Sequence, residues 1–279
     1  MKHRDPRTVL KAHGLWTKKH FGQNFLIAPE VPGRIAAAGG ALPDDVIFEI
    51  GAGCGTLTHA LAPVARRIIA LEHDRELVPV ARAELSYADN VEIREGNVLD
   101  VDWSALCEEA GRPLMVYGNL PYHLSTDIVL SLISAPNTWR RACFMLQREF
   151  AERLAAPPGT RKSSALSVQT ALWAHTTLVF GVPAHAFHPA PKVESSVVVM
   201  ERRAALPVDI GDPKAFRGVV RALFAQRRKM ARKALSAIYP DGTALLEAAG
   251  LDPTRRGETF DLAELAAISR TWMKLRQRD

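Results

Sequence analysis

Val46-Ile47-Phe48-Glu49-Ile50-Gly51-Ala52-Gly53-Cys54-Gly55 is an apolar run that breaks into three alternating glycines. Five residues rich in β-branched and aromatic side chains read as a buried strand. Glycines directly after it mark a bend that permits unusual φ values and lets a ligand approach the main chain. Thr56 to Val64 then reads as a crossover helix, and Arg67 to Leu71 as a second strand closed by Glu72, 21 residues after Gly51. An acid at that distance is placed to accept hydrogen bonds from ribose hydroxyls. The spacing is G-x-G-x-G, and Thr56 stands where a dinucleotide fingerprint has its third glycine. The unit therefore predicts an adenosyl ligand without a pyrophosphate, held by Gly51, Gly53 and Glu72.

The alternation continues outward. Leu77 to Tyr87 has helical spacing, and Val91 to Arg94 reads as a short strand followed by Asn97. Pro113 to Tyr117 is another strand, Ser125 to Ser134 a helix, Arg141 to Gln147 a strand, and Glu149 to Ala155 and Ser164 to Ala174 are helices. Strands alternating with helices predict an α/β fold with a parallel sheet covered on both faces, and such sheets bind ligands beyond the carboxyl ends of their strands. Gly51, Glu72, Asn97 and Asn119 all fall at or just past such ends, so four loops should meet at one crevice. Further on, Thr176 to Val182 and Val193 to Met200 read as strands joined through the Pro-rich Ala186 to Lys192. That connection brings Phe187 over the crevice, unless Phe187 is a structural aromatic packed under the prolines.

Gly118-Asn119-Leu120-Pro121-Tyr122 places an amide, a stiffened backbone and an aromatic ring at a strand end. The Asn119 oxygen and the Leu120 carbonyl can each accept from an exocyclic NH2 group while Tyr122 lies against its ring. Pro121 lacks an N–H and biases Leu120 toward an extended conformation. Two such acceptors would localise the lone pair of an adenine amine and make it nucleophilic. An N-Pro turn also occurs as an ordinary strand-to-helix loop.

Lys18 to Leu26 mixes cations, amides and aromatics without periodicity, and its place before the first strand lets it cover a ligand cleft. Beyond Arg203 only helical spacing remains, in Pro213 to Ala225, Met230 to Ile238, Thr243 to Ala249 and Leu262 to Leu275. The boundaries expected are 1–202 for an α/β domain, with 1–26 as its basic covering segment, and 203–279 for a small helical domain.

Charge follows this division. Residues 1–202 carry 21 Lys and Arg against 21 Asp and Glu, whereas residues 203–279 carry 15 against 9 and so account for the net +6. Gln226-Arg227-Arg228-Lys229, with Arg221, Arg232 and Lys233, clusters on what reads as one helical stretch. Such a face suits a polyanion. No run approaches the roughly 18 apolar residues of a spanning helix. Cys54, Cys107 and Cys143 are too few and too scattered for a disulfide framework or a zinc site. A reducing cytoplasm and a metal-free site are expected, and nothing in the sequence calls for an obligate dimer, so a monomer is expected.

Phe21 to Leu26, Glu49 to Gly55, Asn119 to Tyr122 with Ser125-Thr126, Phe144 to Gln147, Phe187 to Val193 and Gln226 to Lys229 occur in order along nearly the whole chain. Together they resemble the KsgA-type ribosomal RNA small-subunit adenine dimethyltransferases. The resemblance implies a Rossmann-like class I methyltransferase domain with a mostly parallel seven-stranded sheet, plus a small all-helical C-terminal domain. It also implies methyl transfer from S-adenosylmethionine to two adjacent adenosines in the 3′-terminal hairpin of small-subunit ribosomal RNA, within a pre-30S particle.

By position, the resemblance puts Gln23, Asn24, Leu26, Gly51, Gly53, Glu72, Asn97 and Asn119 around the cofactor. It puts Asn119, Leu120, Pro121, Tyr122 and Phe187 around the target base, with Tyr122 and Phe187 sandwiching it, and Arg221, Arg227, Arg228, Lys229, Arg232 and Lys233 on the RNA. The chain departs from the family at Asn97, where an Asp is usual, and at His123, where an Asn is frequent. Alternatives are the related dimethyltransferases of large-subunit RNA that confer macrolide resistance, a ribosome-assembly factor that has lost the chemistry, and a protein or DNA amine methyltransferase.

Overall fold

The computed structural model describes residues 4–18 and 22–277. Lys2, Lys19, His20 and Phe21 of the expected basic and covering segment therefore lie outside the described residues. The chain forms two compact units, residues 1–151 with 176–202, and residues 152–175 with 203–279.

The first unit holds two short strands, β1 (Phe25–Leu26) and β8 (Phe187–His188), and a seven-stranded sheet. The sheet comprises β2 (Val46–Ile50), β3 (Arg67–Glu72), β4 (Val91–Glu95), β5 (Leu114–Asn119), β6 (Trp139–Gln147), β7 (Ala174–Val182) and β9 (Ser195–Arg202). Their order is β4-β3-β2-β5-β6-β9-β7. The first five are mutually parallel and β9 runs antiparallel to β6. β2 lies inside the sheet between β3 and β5 with all five residues buried, as expected of a near-continuous apolar strand covered on both faces. The chain winds outward from β2 through β3 to β4, then returns to β5 on the other side. The switch point where such sheets open a crevice thus lies between β2 and β5.

Two local features shape that crevice. Gly51 and Gly53 have φ of 81° and 56°, and the Gly51 and Ala52 N–H groups donate to the Leu71 carbonyl at 2.8 and 3.1 Å, so the bend is stitched to the end of β3. Gly118 has no room for a side chain, since a Cβ there would sit 2.8 Å from the Ile50 carbonyl oxygen. β5 also runs two residues further than its apolar run suggested, because Gly118 and Asn119 pair with Phe144 and Met145 of β6.

The second unit is helical, with helices Ala165–Trp173, Pro213–Ala225, Ala231–Leu235, Gly242–Ala248 and Leu262–Arg276. Val168 and Leu172 share its core with Phe216, Val220, Leu265 and Ile268. The expected boundary at 202/203 assigned residues 152–175 to the sheet. Here residues 152–173 join the helices, with Ala174 and His175 opening β7, because the apolar stripe of Ala165–Trp173 is covered by that core and the Arg203 N–H donates to the Trp173 carbonyl at 2.7 Å.

The basic run needs a second correction. Gln226 leaves helical geometry at φ −129° and ψ 54°, so Gln226 to Lys229 is a turn between helices. The break is tertiary in origin: Met230 bridges to Arg256, and the Ala231 N–H donates to the Arg255 carbonyl at 2.7 Å. Among the described residues no helix is long and apolar enough to cross a membrane.

Candidate active site

A cavity of about 420 Å³ opens at the carboxyl ends of β2, β3, β4 and β5 in the first unit. Gly51, Gly53, Glu72, Asn97 and Asn119 all line it, as do Gln23, Asn24, Leu26, Leu120, Pro121 and Tyr122. The four-loop convergence expected from the strand pattern is therefore present, and the segment before β2 forms part of the wall.

Glu72 is held at the end of β3 by two backbone donors, Gly53 N–H to one carboxylate oxygen at 2.7 Å and Asp74 N–H to the other at 2.8 Å. Burial raises its pKa, and those hydrogen bonds oppose the rise. Each oxygen keeps a lone pair for a ligand hydroxyl. Asn97 follows β4, and its side-chain oxygen accepts from the Leu99 N–H at 3.1 Å, capping a short 3₁₀ turn. The oxygen expected to meet an adenine amine is thus shared with a backbone donor.

A further part of the wall is built from the last residue of β5 and the turn after it. Asn119 donates its amide N–H to the Asn24 carbonyl at 3.0 Å, which leaves the carboxamide oxygen as the group available to accept. The Leu120 N–H is taken by the Met145 carbonyl at 3.1 Å, and the Leu120 side chain is buried. The Pro121 carbonyl accepts from Leu124 N–H and the Ser125 hydroxyl, which starts helix Ser125–Ser134. The Leu120 carbonyl accepts no hydrogen bond among the described residues. Tyr122 is half-buried and its hydroxyl pairs with Ser195 Oγ at 2.8 Å, which fixes the ring. Burial raises its pKa and keeps the phenol neutral.

Phe187 does not join them. It is 2 % exposed, belongs to the core cluster with Leu26 and Val197, and is absent from the cavity wall. Leu26 pairs with Phe187 across the β1–β8 ladder, and this pairing turns the ring into the interior. The two-ring sandwich expected around a base gives way to the structural alternative, an aromatic packed in the core, and of the expected pair Tyr122 alone lines the cavity.

Two wall residues, Glu49 and Asp74, were given no role by the sequence reading. Glu49 is 1 % exposed on β2 and one of its oxygens is buried without a partner among the described residues. Burial pushes its pKa to about 8, and the neighbouring Glu72 charge adds to the shift. Asp74 lies two residues past Glu72, and His123 packs beside Gly22. The Glu-x-Asp at the end of β3 was the available signal for Asp74. Cys54 is buried in the glycine bend with its thiol pushed up to about 12, far from a reactive thiolate.

The wall therefore carries three carboxyl groups, Glu49, Glu72 and Asp74, and neither Lys nor Arg among the described residues. With Glu49 held as a neutral acid below pH about 8 and Asp74 paired to Lys18, the wall offers acceptors and the Glu72 carboxyl without a cation of its own, a lining that suits a positively charged ligand better than a pyrophosphate. S-adenosylmethionine, with a sulfonium, an ammonium and a ribose diol, fits this set of charges and acceptors.

In the second unit, Arg221, Arg228, Lys229 and Lys233 are exposed and Arg232 is half-buried. The exposed Arg227 donates its guanidinium to the Arg161 carbonyl at 2.9 Å and so braces the Pro157 to Ser163 loop.

Comparison with known proteins agrees along the length of the chain. The family model for ribosomal RNA adenine dimethylase matches residues 15–268. A ribosomal RNA small subunit methyltransferase A from Magnetococcus marinus is 42% identical over 267 residues, covering 96% of each chain. Another from Geobacillus thermodenitrificans is 38% identical over 279 residues, covering 96% of this chain and 95% of the relative. Among solved structures, the 23S rRNA methyltransferase ErmE superposes with a TM-score of 0.69 at 26% identity, covering 90% of this chain and all of that one. A dimethyladenosine transferase from Plasmodium falciparum superposes at 0.75 with 22% identity, covering 90% and 98%, a likeness of fold.

Proposed function

The chain belongs to the ribosomal RNA adenine dimethylase family, and from that premise we propose that it dimethylates the exocyclic amines of two adjacent adenosines in the 3′-terminal hairpin of small-subunit ribosomal RNA. The observation that carries the reading is one cavity in which the glycine bend and the Glu72 carboxyl meet the Asn119 carboxamide and the Tyr122 ring. The relatives at 42% and 38% identity are small-subunit enzymes by name. They favour that substrate over large-subunit RNA.

S-adenosylmethionine, when bound, would supply an electrophilic methyl group, with the electron pair of the broken C–S bond retained on sulfur. Glu72 holds the ribose hydroxyls, Gly51 and Gly53 bring main chain against the cofactor, and Gln23, Asn24, Leu26 and Asn97 complete its wall. The Asn119 oxygen and the Leu120 carbonyl accept the two amine hydrogens, which keeps the nitrogen lone pair out of conjugation and aimed at the methyl carbon. The new N–C bond leaves a cationic nitrogen that releases one proton to solvent, and in a second cycle the one remaining amine hydrogen is accepted by one of the two oxygens while the other faces the first methyl group. Extruding a base costs a few kcal/mol. Stacking on the Tyr122 ring returns about 1–3 kcal/mol. With Phe187 in the core, the balance falls to the amine contacts and to phosphate contacts made elsewhere.

Arg221, Arg228, Lys229, Arg232 and Lys233 supply those phosphate contacts, in keeping with the dominance of backbone charge in RNA affinity. Arg227 contributes by holding its loop. The substrate is a pre-30S particle, and the protein acts as a cytoplasmic monomer. The test is mass analysis of ribosomal RNA after incubation of undermethylated small subunits, or of large subunits, with the protein and labelled cofactor. Four methyl groups on two adjacent adenosines of the small subunit support the proposal, and label confined to large-subunit RNA overturns it.

A further inference from the structure

Asp74 is 5 % exposed and lies two residues past the proposed ribose ligand, and its carboxylate is engaged by the segment before β1. One oxygen accepts from the Lys18 ammonium at 2.8 Å and the other from the Gln23 amide nitrogen at 2.8 Å. Lys18 also pairs with Glu76 at 2.6 Å, and its own backbone N–H donates to the Gln23 side-chain oxygen at 2.8 Å. Both ends of the Gln23 amide are thereby clamped. Burial alone would raise the Asp74 pKa, but the bonds from Lys18 and Gln23 outweigh it and hold the group below the usual carboxylate value.

The residue after Gln23 is Asn24, whose carbonyl receives the Asn119 amide N–H at 3.0 Å. On its other side Asn24 is followed by Phe25–Leu26, paired with β8. The Asn24 carbonyl is thus fixed from both directions. A carboxamide is nearly symmetric in shape, so packing alone cannot decide which of its ends faces the cavity. A carbonyl oxygen can, since it accepts only from the nitrogen end. Were Asn119 reversed, it would present donors to an amine whose hydrogens also need acceptors.

We infer that Asp74 is a positioning residue for methyl transfer, anchoring Lys18 and Gln23 so that Asn24 holds the Asn119 carboxamide with its oxygen toward the base. The inference rests on the role proposed above for Asn119. Asp74→Asn presents a donor to the Gln23 nitrogen in place of an acceptor and removes the charge facing Lys18. Misplacement of a reacting contact by about 1 Å costs on the order of a hundredfold. At saturating cofactor and saturating small subunits, kcat of Asp74→Asn should fall by roughly tenfold to a hundredfold.

The discriminating variant is the exchange Asp74→Asn with Gln23→Glu, which restores the same hydrogen bond with donor and acceptor swapped and keeps a carboxylate near Lys18. Gln23 also lines the cofactor cavity, so the exchange is judged on kcat at saturating cofactor alone, which should rise at least about threefold above that of Asp74→Asn. A saturated kcat within about twofold for Asp74→Asn, with only the KM for cofactor raised, would overturn the inference. So would an exchange variant as slow as Asp74→Asn alone. If Asp74→Asn fails to fold, the exchange variant and Gln23→Leu carry the test, with recovered and lowered kcat expected in turn. Inactivity of the unmodified protein on small subunits, or full activity of Asn119→Ala, would instead defeat the underlying assignment, so the two failures are distinguishable.

Discussion

Replacing Glu49 by Gln tests the electrostatics of the cavity floor. Glu49 sits in the central strand, paired to Ala70 of β3 and Tyr117 of β5, with one oxygen buried and unpartnered among the described residues. Its pKa rises from an ordinary 4.5 to about 8, first through burial. A folded-state value above the unfolded one means that the folded protein holds the proton more tightly. The associated stability is fully present below pH about 4.5 and is lost as pH rises to about 8. A rise of about 3.5 units corresponds to about 5 kcal/mol across that window. Gln has the same shape without the titration, so any constant packing difference cancels from the slope. Guanidinium unfolding of both cofactor-free proteins between pH 5 and pH 8.5 at fixed ionic strength reads the effect. The stability of Glu49→Gln relative to the unmodified protein should grow by roughly a factor of ten in the unfolding constant per pH unit up to pH about 8, then level off. Parallel pH profiles for the two proteins would refute the burial argument.

Two further predictions concern the ligands. Asn97→Asp keeps the cap on the Leu99 N–H and adds a charged acceptor facing the cavity, so calorimetry with S-adenosylhomocysteine should show about tenfold tighter binding, whereas unchanged affinity would remove residue 97 from the cofactor contact. Replacing Arg228 and Lys229 together by Gln should weaken small-subunit RNA binding and lower the slope of log affinity against log salt by between one and two, and an unchanged slope would count against that surface.

The parts of this molecule that were legible in its sequence are those fixed by local pattern. β2 and its glycine bend stood out because a strand buried on both faces has no polar alternation to blur it. Glu72 followed from its distance to Gly51, and Asn119 from an amide next to a proline and an aromatic. What could not be read depends on partners far along the chain. Phe187 faces the core because it pairs with Leu26, and a Pro-rich connection carries no sign of that register. Asp74 acts through Lys18 and Gln23, 56 and 51 positions away, in a segment without periodicity.

The helix Ala165–Trp173 shows an apolar stripe, but nothing in its own residues says whether a sheet or other helices will cover it. Arg227-Arg228-Lys229 has good helical propensity, and the turn there arises from contacts made by Met230 and Ala231 with residues 255 and 256.

The most direct test of the central claim is Asn119→Ala, measured in two assays on the same preparation. Binding of S-adenosylhomocysteine should stay within about threefold of the unmodified protein, since Glu72 and the glycine bend remain. Single-turnover methyl transfer to small subunits should fall by on the order of a hundredfold or more with the loss of the amine acceptor. Methyl transfer at the unmodified rate, with cofactor binding intact, would contradict the account.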